Sequence, residues 1–241
     1  MIEDDYKHKD EVDGATRAAN RIAPLILKLA PGIRSVVDLG GGTGAWLQVL
    51  HNLGVETIQL YDVPEAALDL LIERSCFQAV DLNKRVPPLT RFDLAVCVEC
   101  AEHLRPKRAL PLVKWLTSAA DIVIFSAAIP GQPGKGHINA RLPEYWQALF
   151  RQCGYTRCDV LRGSIVSDSS IPYWYRQNLF VFTKPAIKLA GEEPDFLPED
   201  FALVHRDPMT ELARPHLRFL LREMRRALFA AIWYRLRGSP K

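Results

Sequence analysis

The segment VVDLGGGTG, residues 36–44, contains the residue types that most strongly indicate ligand binding. An apolar run leads into the glycines and a helical pattern opens at Ala45, which predicts a strand, a tight loop and a helix. Glycines let a backbone approach a bound molecule closely, and the first N–H groups of a helix lack partners within the helix. We therefore expect a small-molecule site at this loop.

Carboxylates beside the loop discriminate between two possible cofactors. Asp62 ends the next predicted strand, where a carboxylate can accept hydrogen bonds from both hydroxyls of a ribose. A dinucleotide pattern, GxGxxA, is met by Gly40, Gly42 and Ala45. The alternative pattern DxGxGxG is met by Asp38, Gly40, Gly42 and Gly44. Because Asp38 would repel a pyrophosphate but attract the cationic amino-acid end of S-adenosylmethionine (SAM), the sequence favours SAM over NAD.

A second group of reactive side chains follows the fourth and fifth predicted strands. Glu99, Glu102 and His103 form an ExxEH pattern, and His137 lies in the segment GKGHIN. Three interpretations are open. Glu102 and His103 could only orient the following helix, or His103 could be a general base on a substrate hydroxyl. In the third, a divalent ion that polarises the hydroxyl is held by Glu99, Glu102, His103 and His137.

The surrounding elements alternate along the chain. Strands are predicted at Arg34–Leu39, Val55–Tyr61, Phe77–Val80, Phe92–Val98, Asp121–Ser126, Arg157–Arg162 and Asn178–Thr183. Helices are predicted over residues 15–30 with an interruption at Pro24, and at Ala45–Asn52, Glu65–Arg74, Pro106–Ala119 and Glu144–Gln152. This alternation is typical of an α/β fold with a doubly wound, mainly parallel sheet.

From the glycine loop onward, the sequence resembles the class I SAM-dependent methyltransferases over residues 33–183, through VVDLGGGTG, Asp62, Asp81-Leu82 and FDLAVCVECAEHL. The resemblance implies a seven-stranded Rossmann-like sheet. It also implies that Asp62 binds the ribose, that Asp81 and Leu82 lie along the adenine, and that Glu99 flanks the methionine part. The ExxEH pattern is similar to that of some magnesium-dependent O-methyltransferases, which implies Mg²⁺ as a second cofactor and a catalytic role for His103 and His137.

The substrate side is less sharply defined by the residues. Residues 125–154 contain a glycine-rich loop, and the aromatic cluster Tyr173–Arg176 fits either packing or a ring-stacking pocket. A further resemblance to bacterial glycan and secondary-metabolite methyltransferases implies O-methylation of a hydroxyl on a sugar, a glycan intermediate or another small molecule. The alternatives are an NAD-dependent oxidoreductase and a SAM-binding pseudo-enzyme that recruits a partner or a membrane.

Composition and charge suggest the organisation of the chain. Of 241 residues, 48% are hydrophobic and 24% charged, as in ordinary globular proteins. We expect an N-terminal lid or helix at 1–30, the SAM-binding domain at 31–184, a linker at 185–210 and a basic amphipathic helix at 211–241. The basic residues concentrate in that helix, which either packs its leucines on the catalytic domain or makes peripheral contact with an anionic membrane surface, and we expect no nucleic-acid partner. The charged N-terminus has no apolar signal segment, and five cysteines in a chain of this length do not resemble a disulfide framework, so we expect a cytoplasmic protein that could associate with a membrane.

Overall fold

Seven short apolar runs pair into one twisted sheet in the computed structural model of the chain, which describes residues 2–190. The strands are β1 (Ser35–Leu39), β2 (Thr57–Asp62), β3 (Phe77–Ala79), β4 (Leu94–Val98), β5 (Ile122–Ser126), β6 (Thr156–Cys158) and β7 (Phe180–Thr183). Their order across the sheet is β3-β2-β1-β4-β5-β7-β6, with β7 antiparallel to both of its neighbours and the other pairs parallel. The predicted doubly wound, mainly parallel sheet is confirmed.

Helices cover both faces of the sheet. They are α1 (Ile2–Leu29), α2 (Ala45–Asn52), α3 (Ala109–Ala119), α4 (Pro143–Gln152), α5 (Arg162–Ile165) and α6 (Tyr173–Asn178). Successive strand residues point to opposite faces, so Val36 packs in the layer containing α1 and α2 while Val37 packs in the layer containing α3 and α4. Two apolar layers therefore hold the sheet rigid and leave its carboxyl edge to the loops.

Two predicted helices differ from the structure. The segment predicted as a helix at Glu65–Arg74 instead contains a 3₁₀ turn, Pro64–Leu68, and irregular chain as far as Arg74, where a second 3₁₀ turn, Arg74–Cys76, begins. The backbone N–H of Leu71 donates to the carbonyl of Thr43 at 2.8 Å, which draws this segment onto the glycine loop instead of into a helix. In the first helix, Pro24 lies inside α1 without ending it.

Only the first residues of the predicted C-terminal linker are described by the structure. Residues 185–190 run beside α1, where Leu189 is buried and the N–H of Ala190 donates to the carbonyl of Leu29 at 2.6 Å. The rest of the predicted linker at 185–210 and the predicted helix at 211–241 lie outside the described residues, so the proposed membrane contact stays a prediction. Within residues 2–190, every helix is too short or too polar to span a bilayer.

Candidate active site

The glycine loop turns sharply between β1 and α2. Gly40, Gly42 and Gly44 have φ angles of 76°, 57° and 82°, a left-handed conformation that side chains other than glycine rarely adopt. A Cβ atom on Gly40 would also lie 2.1 Å from the Cys100 sulfur, so the loop passes directly over the end of β4. The loop backbone is therefore shaped for close approach to a ligand, as the sequence predicts.

Asp62 lies against this loop at the end of β2. One carboxylate oxygen accepts a hydrogen bond from the N–H of Gly42 at 2.7 Å, and the other accepts from the N–H of Val63 at 2.6 Å. Burial raises the pKa of Asp62, while these two backbone hydrogen bonds oppose the rise. The carboxylate is thus held rigidly beside the glycines, in a position suited to the hydroxyls of a ribose.

Asp38 lies beneath the loop and is fully buried. Neither carboxylate oxygen has a hydrogen-bond partner within the described part of the chain. Burial, followed by the nearby charge of Asp62, raises the pKa of Asp38 well above its usual range. A buried carboxylate without a partner is unfavourable, and a cationic group bound above it would offset that cost. Asp38 therefore fits the cationic amino-acid end of SAM.

The structure places Asp81 and Leu82 in the turn after β3, on the same side as Asp62. Asp81 accepts from the N–H of Asn83 at 2.9 Å and forms an ion pair with Lys84 at 3.1 Å. The hydrogen bond from Lys84 is the main reason why the pKa of Asp81 is lowered. Leu82 is buried. An apolar side chain next to an acceptor carboxylate suits a purine ring with an exocyclic amine.

Ile72 is a cofactor-side residue that the sequence analysis missed. Its side chain lies 3.1 Å from the position that a Cβ on Gly44 would take. Gln48 supports the same segment, since its amide donates to the carbonyl of Leu71 at 2.8 Å. Ile72 reaches the glycine loop because residues 69–73 follow an irregular path. The sequence predicts a helix over these residues, and a helix would not have indicated this contact.

Glu102, His103 and His137 come together on the acceptor side. Each offers a ligand atom, and these atoms all lie within 4.8 Å of one another. Glu102 and His103 belong to a 3₁₀ turn, Ala101–His103, directly after β4, whereas His137 lies in the loop after β5. The N–H of Asn139 donates to the carbonyl of Glu102 at 2.9 Å and joins the two segments.

The electrostatics of this group suit cation binding. Glu102 is fully buried, and neither carboxylate oxygen has a hydrogen-bond partner in the part of the chain whose side chains are described. Burial, with a further contribution from the charge of Glu99, raises the pKa of Glu102 to about 9. Partial burial lowers the pKa of His103 and of His137, which favours neutral imidazoles with a free lone pair. Glu102 therefore lacks a compensating charge that a bound cation would supply.

Glu99 stands beside this group but is held by other partners. Its carboxylate accepts from the side-chain amide of Gln132 at 2.8 Å and from that of Asn178 at 3.5 Å. Its backbone has a φ of 51°, and its N–H bonds to the carbonyl and the hydroxyl of Ser126, both at 3.1 Å. Of the four predicted metal ligands, the structure thus groups three and places Glu99 next to them in an amide network.

The aromatic cluster Tyr173–Arg176 lies in α6, and its Tyr175 is buried against α2. Its ring centroid lies 5.7 Å from that of Trp46 in α2, and the ring is 5% exposed. Arg176 is buried as well and donates to the carbonyls of Ile171 and Val166. Helix α6 therefore supports the helix that follows the glycine loop, and the packing interpretation holds for these two residues.

Comparisons with known proteins give one family match and several similar folds. Residues 13–123 match a sequence family described as a methyltransferase domain. No curated protein sequence matches the chain. The structure is similar to the sugar N-methyltransferase KedS8 from Streptoalloteichus, with 14% identity, a TM-score of 0.58, and coverage of 76% of this chain and 93% of that one.

Two further solved structures resemble the chain. CalS10, an amino pentose methyltransferase from Micromonospora echinaspora, is 15% identical with a TM-score of 0.54, and the match covers 74% of this chain and 96% of that one. Human N-acetylserotonin methyltransferase is 15% identical, with a TM-score of 0.46. The match covers 68% of this chain and 50% of that enzyme, so the chain spans about half of its length. The family match contains both the glycine loop and Asp62, and it identifies residues 13–123 as a methyltransferase domain.

Proposed function

We propose that the chain transfers the methyl group of SAM to a hydroxyl of a sugar, a glycan intermediate or a similar small molecule. The observation that carries this proposal is the grouping of Glu102, His103 and His137 within 4.8 Å, at the same edge of the sheet as Asp62. A hydroxyl is a weak nucleophile until its proton is removed, and this group supplies what that removal requires.

The cofactor half of the proposal uses residues on β1 and β2. Asp62 would accept hydrogen bonds from the ribose hydroxyls, and Asp38 would balance the charge of the cationic amino-acid end. The glycines of the loop would let the cofactor lie close to the backbone. SAM supplies an electrophilic methyl group on a sulfonium. The protein's task on this side is to bind that molecule and exclude water from its methyl group.

On the acceptor side, His103 and His137 have pKa values lowered by partial burial, so neutral imidazoles are available near neutral pH. The acceptor oxygen forms a bond to the methyl carbon as the carbon–sulfur bond breaks. The hydroxyl proton goes to an imidazole or to solvent, and the products are a methyl ether and S-adenosylhomocysteine (SAH). The residues position the hydroxyl and accept its proton, which contributes roughly 10²–10⁴-fold in comparable enzymes.

A divalent cation at this group would displace the proton that Glu102 holds because of its raised pKa, pair with the resulting carboxylate, and lower the pKa of the acceptor hydroxyl. The ligand set would then contain two imidazoles and one carboxylate. Imidazole ligands suit transition metals, whereas Mg²⁺ prefers oxygen ligands. We therefore include Mn²⁺, Co²⁺ and Zn²⁺ beside Mg²⁺ as candidates for this site.

Support for a sugar acceptor comes from the two similar structures named as a sugar N-methyltransferase and an amino pentose methyltransferase. They share the fold with this chain, and their acceptors carry amines. An amine needs less help with deprotonation than a hydroxyl, so the two acceptor classes predict different dependence on the histidine and carboxylate group.

The test combines binding and turnover. Calorimetry should detect SAM and SAH but not NADH, and titration of the protein with Mg²⁺ or Mn²⁺ should give one site. Methyl transfer should then be screened on matched pairs of sugars with a hydroxyl or an amine at the same carbon. Transfer to hydroxyl acceptors that falls in EDTA supports the proposal. Transfer to the amine members alone would overturn it, as would retention of the cofactor without transfer to any acceptor.

A further inference from the structure

Three buried side-chain amides form a hydrogen-bonded series that ends on Glu99. The amide of Gln177 donates to the side-chain oxygen of Asn178 at 2.9 Å. Asn178 donates to the side-chain oxygen of Gln132 at 2.8 Å, and Gln132 donates to the carboxylate of Glu99 at 2.8 Å. Because a carboxylate only accepts, its partner Gln132 must present its NH₂ group, which fixes the orientation of the series. We call these three residues the amide series.

The carboxylate at the end of the series lies at the crevice of the sheet. Glu99 follows β4, and the next residue, Cys100, contacts Gly40 at the end of β1. The strand order reverses between β1 and β4, and open α/β sheets bind ligands beyond the strand ends at that point. The left-handed backbone of Glu99, with a φ of 51°, is an unfavourable conformation that surrounding contacts must maintain.

We propose that Gln132 is a positioning residue for the cofactor, and that with Asn178 it holds the carboxylate of Glu99 in place to pair with the ammonium group of SAM. The proposal rests on SAM as the cofactor and not on the identity of the acceptor. Gln132 lies in the loop after β5, and Asn178 ends α6 just before β7. The series therefore ties two separate segments to one cofactor contact.

Gln132 also connects this contact with the acceptor side. Its backbone carbonyl lies 3.2 Å from Nδ1 of His137. Donation from Nδ1 to that carbonyl leaves Nε2 with its lone pair free to bind a proton or a metal. A change that displaces Gln132 should thus alter the cofactor affinity and the behaviour of His137 together, which a residue that only fills space would not do.

The test measures SAH affinity by calorimetry, which needs no acceptor, while thermal unfolding reports whether each variant is folded. Asn178→Asp keeps the side-chain size but removes the NH₂ group that donates to Gln132. The side-chain amide of Gln132 should then turn its NH₂ group toward the new carboxylate. Its oxygen would face Glu99, which can no longer accept a hydrogen bond from it. Gln132→Glu removes the donor to Glu99 directly. Each should weaken SAH about tenfold, the effect expected when one hydrogen bond to a charged group is lost. Gln152→Glu makes the same chemical change at an exposed position and should bind SAH normally.

Two double variants separate positioning from packing. Asn178→Asp should weaken SAH less in a Gln132→Ala background, because the part of its effect that passes through Gln132 is then absent and only its direct contact with Glu99 at 3.5 Å remains. Glu99→Gln combined with Gln132→Glu restores an amide–carboxylate pair but moves the negative charge from position 99 to position 132. Thermal stability should therefore recover relative to Gln132→Glu alone, while SAH binding should stay weak. Wild-type SAH affinity in Asn178→Asp and Gln132→Glu would overturn the proposal, as would full recovery in the swapped variant. Failure of the wild-type chain to bind SAH would instead overturn the cofactor assignment.

Discussion

The imidazole rings of His103 and His137 lie edge to face, with their centroids 5.0 Å apart. His103 closes the 3₁₀ turn after β4, and His137 belongs to the loop after β5. Because β4 and β5 are parallel neighbours, their carboxyl ends meet at one edge and carry the two histidines together. The fully buried carboxylate of Glu102 completes the group, so the sheet topology itself assembles the acceptor side.

Replacement of either histidine should therefore reduce methyl transfer. We expect His103→Ala and His137→Ala each to lower kcat by at least about 100-fold, since both the base and the metal interpretation need an imidazole there. Initial rates with labelled SAM measure this effect. Full wild-type activity in excess EDTA would select the base, whereas its loss and recovery with added Mn²⁺ would select the metal.

The matched control is His51→Ala. The ring of His51 contacts the carbonyl of Val55 at the end of α2, away from the group, so this variant should retain its rate. If both active-site variants keep wild-type rates, neither interpretation holds, and catalysis then depends on the positioning of the two substrates.

Much of the cofactor side could be predicted from sequence because its signals are local. The glycines directly follow β1, Asp38 lies near the end of β1, and Asp62 is the last residue of β2; strand ends of a parallel sheet share one edge. Ile72, Gln132 and Asn178 were not predicted because their roles depend on tertiary contacts. Ile72 reaches the loop through an irregular segment, and Gln132 and Asn178 meet Glu99 from distant parts of the chain. The spacing of residues along the sequence does not indicate contacts between such distant segments.

Asp62→Ala should weaken SAM and SAH binding at least about tenfold, because a hydrogen bond to a charged acceptor contributes roughly 1.5–3 kcal/mol. The same carboxylate also holds the N–H of Gly42, so loop disorder will add to the loss. Calorimetric titration with SAH measures the change. Asp62→Asn, which keeps one acceptor oxygen, should give an intermediate affinity, and unchanged binding in the alanine variant would refute the ribose assignment.

Gly40→Ala should abolish cofactor binding and destabilise the fold more than Gly54→Ala does. Both glycines have positive φ angles, 76° and 103°, so both substitutions impose backbone strain of about 1–2 kcal/mol. Only at Gly40 would the new Cβ meet another group, the Cys100 sulfur at 2.1 Å, whereas none of the described atoms lies within 4 Å at Gly54. Chemical denaturation and SAH titration of both variants measure the difference; equal destabilisation would show that the loop can move away from Cys100.

Asp121, directly before β5, joins three strand ends through ion pairs with Arg91 and Lys184, both at 2.8 Å. The hydrogen bond from Lys184, followed by that from Arg91, lowers the pKa of Asp121. A carboxyl group whose pKa is lower in the folded than in the unfolded chain stabilises the fold above its unfolded pKa, about 3.9, and loses that contribution as the pH falls below it.

Asp121→Asn should therefore reduce the free energy of unfolding at pH 7 by about 1 kcal/mol, the upper range for partly exposed ion pairs. The difference between the variant and the wild type should shrink as the pH falls below about 4, and also in 1 M salt, which screens the pairs. Urea unfolding at several pH values measures this dependence. A difference that stays constant between pH 7 and pH 3 would mean that Asp121 acts through packing or neutral hydrogen bonds, and that its charge contributes nothing to the junction of the three strands.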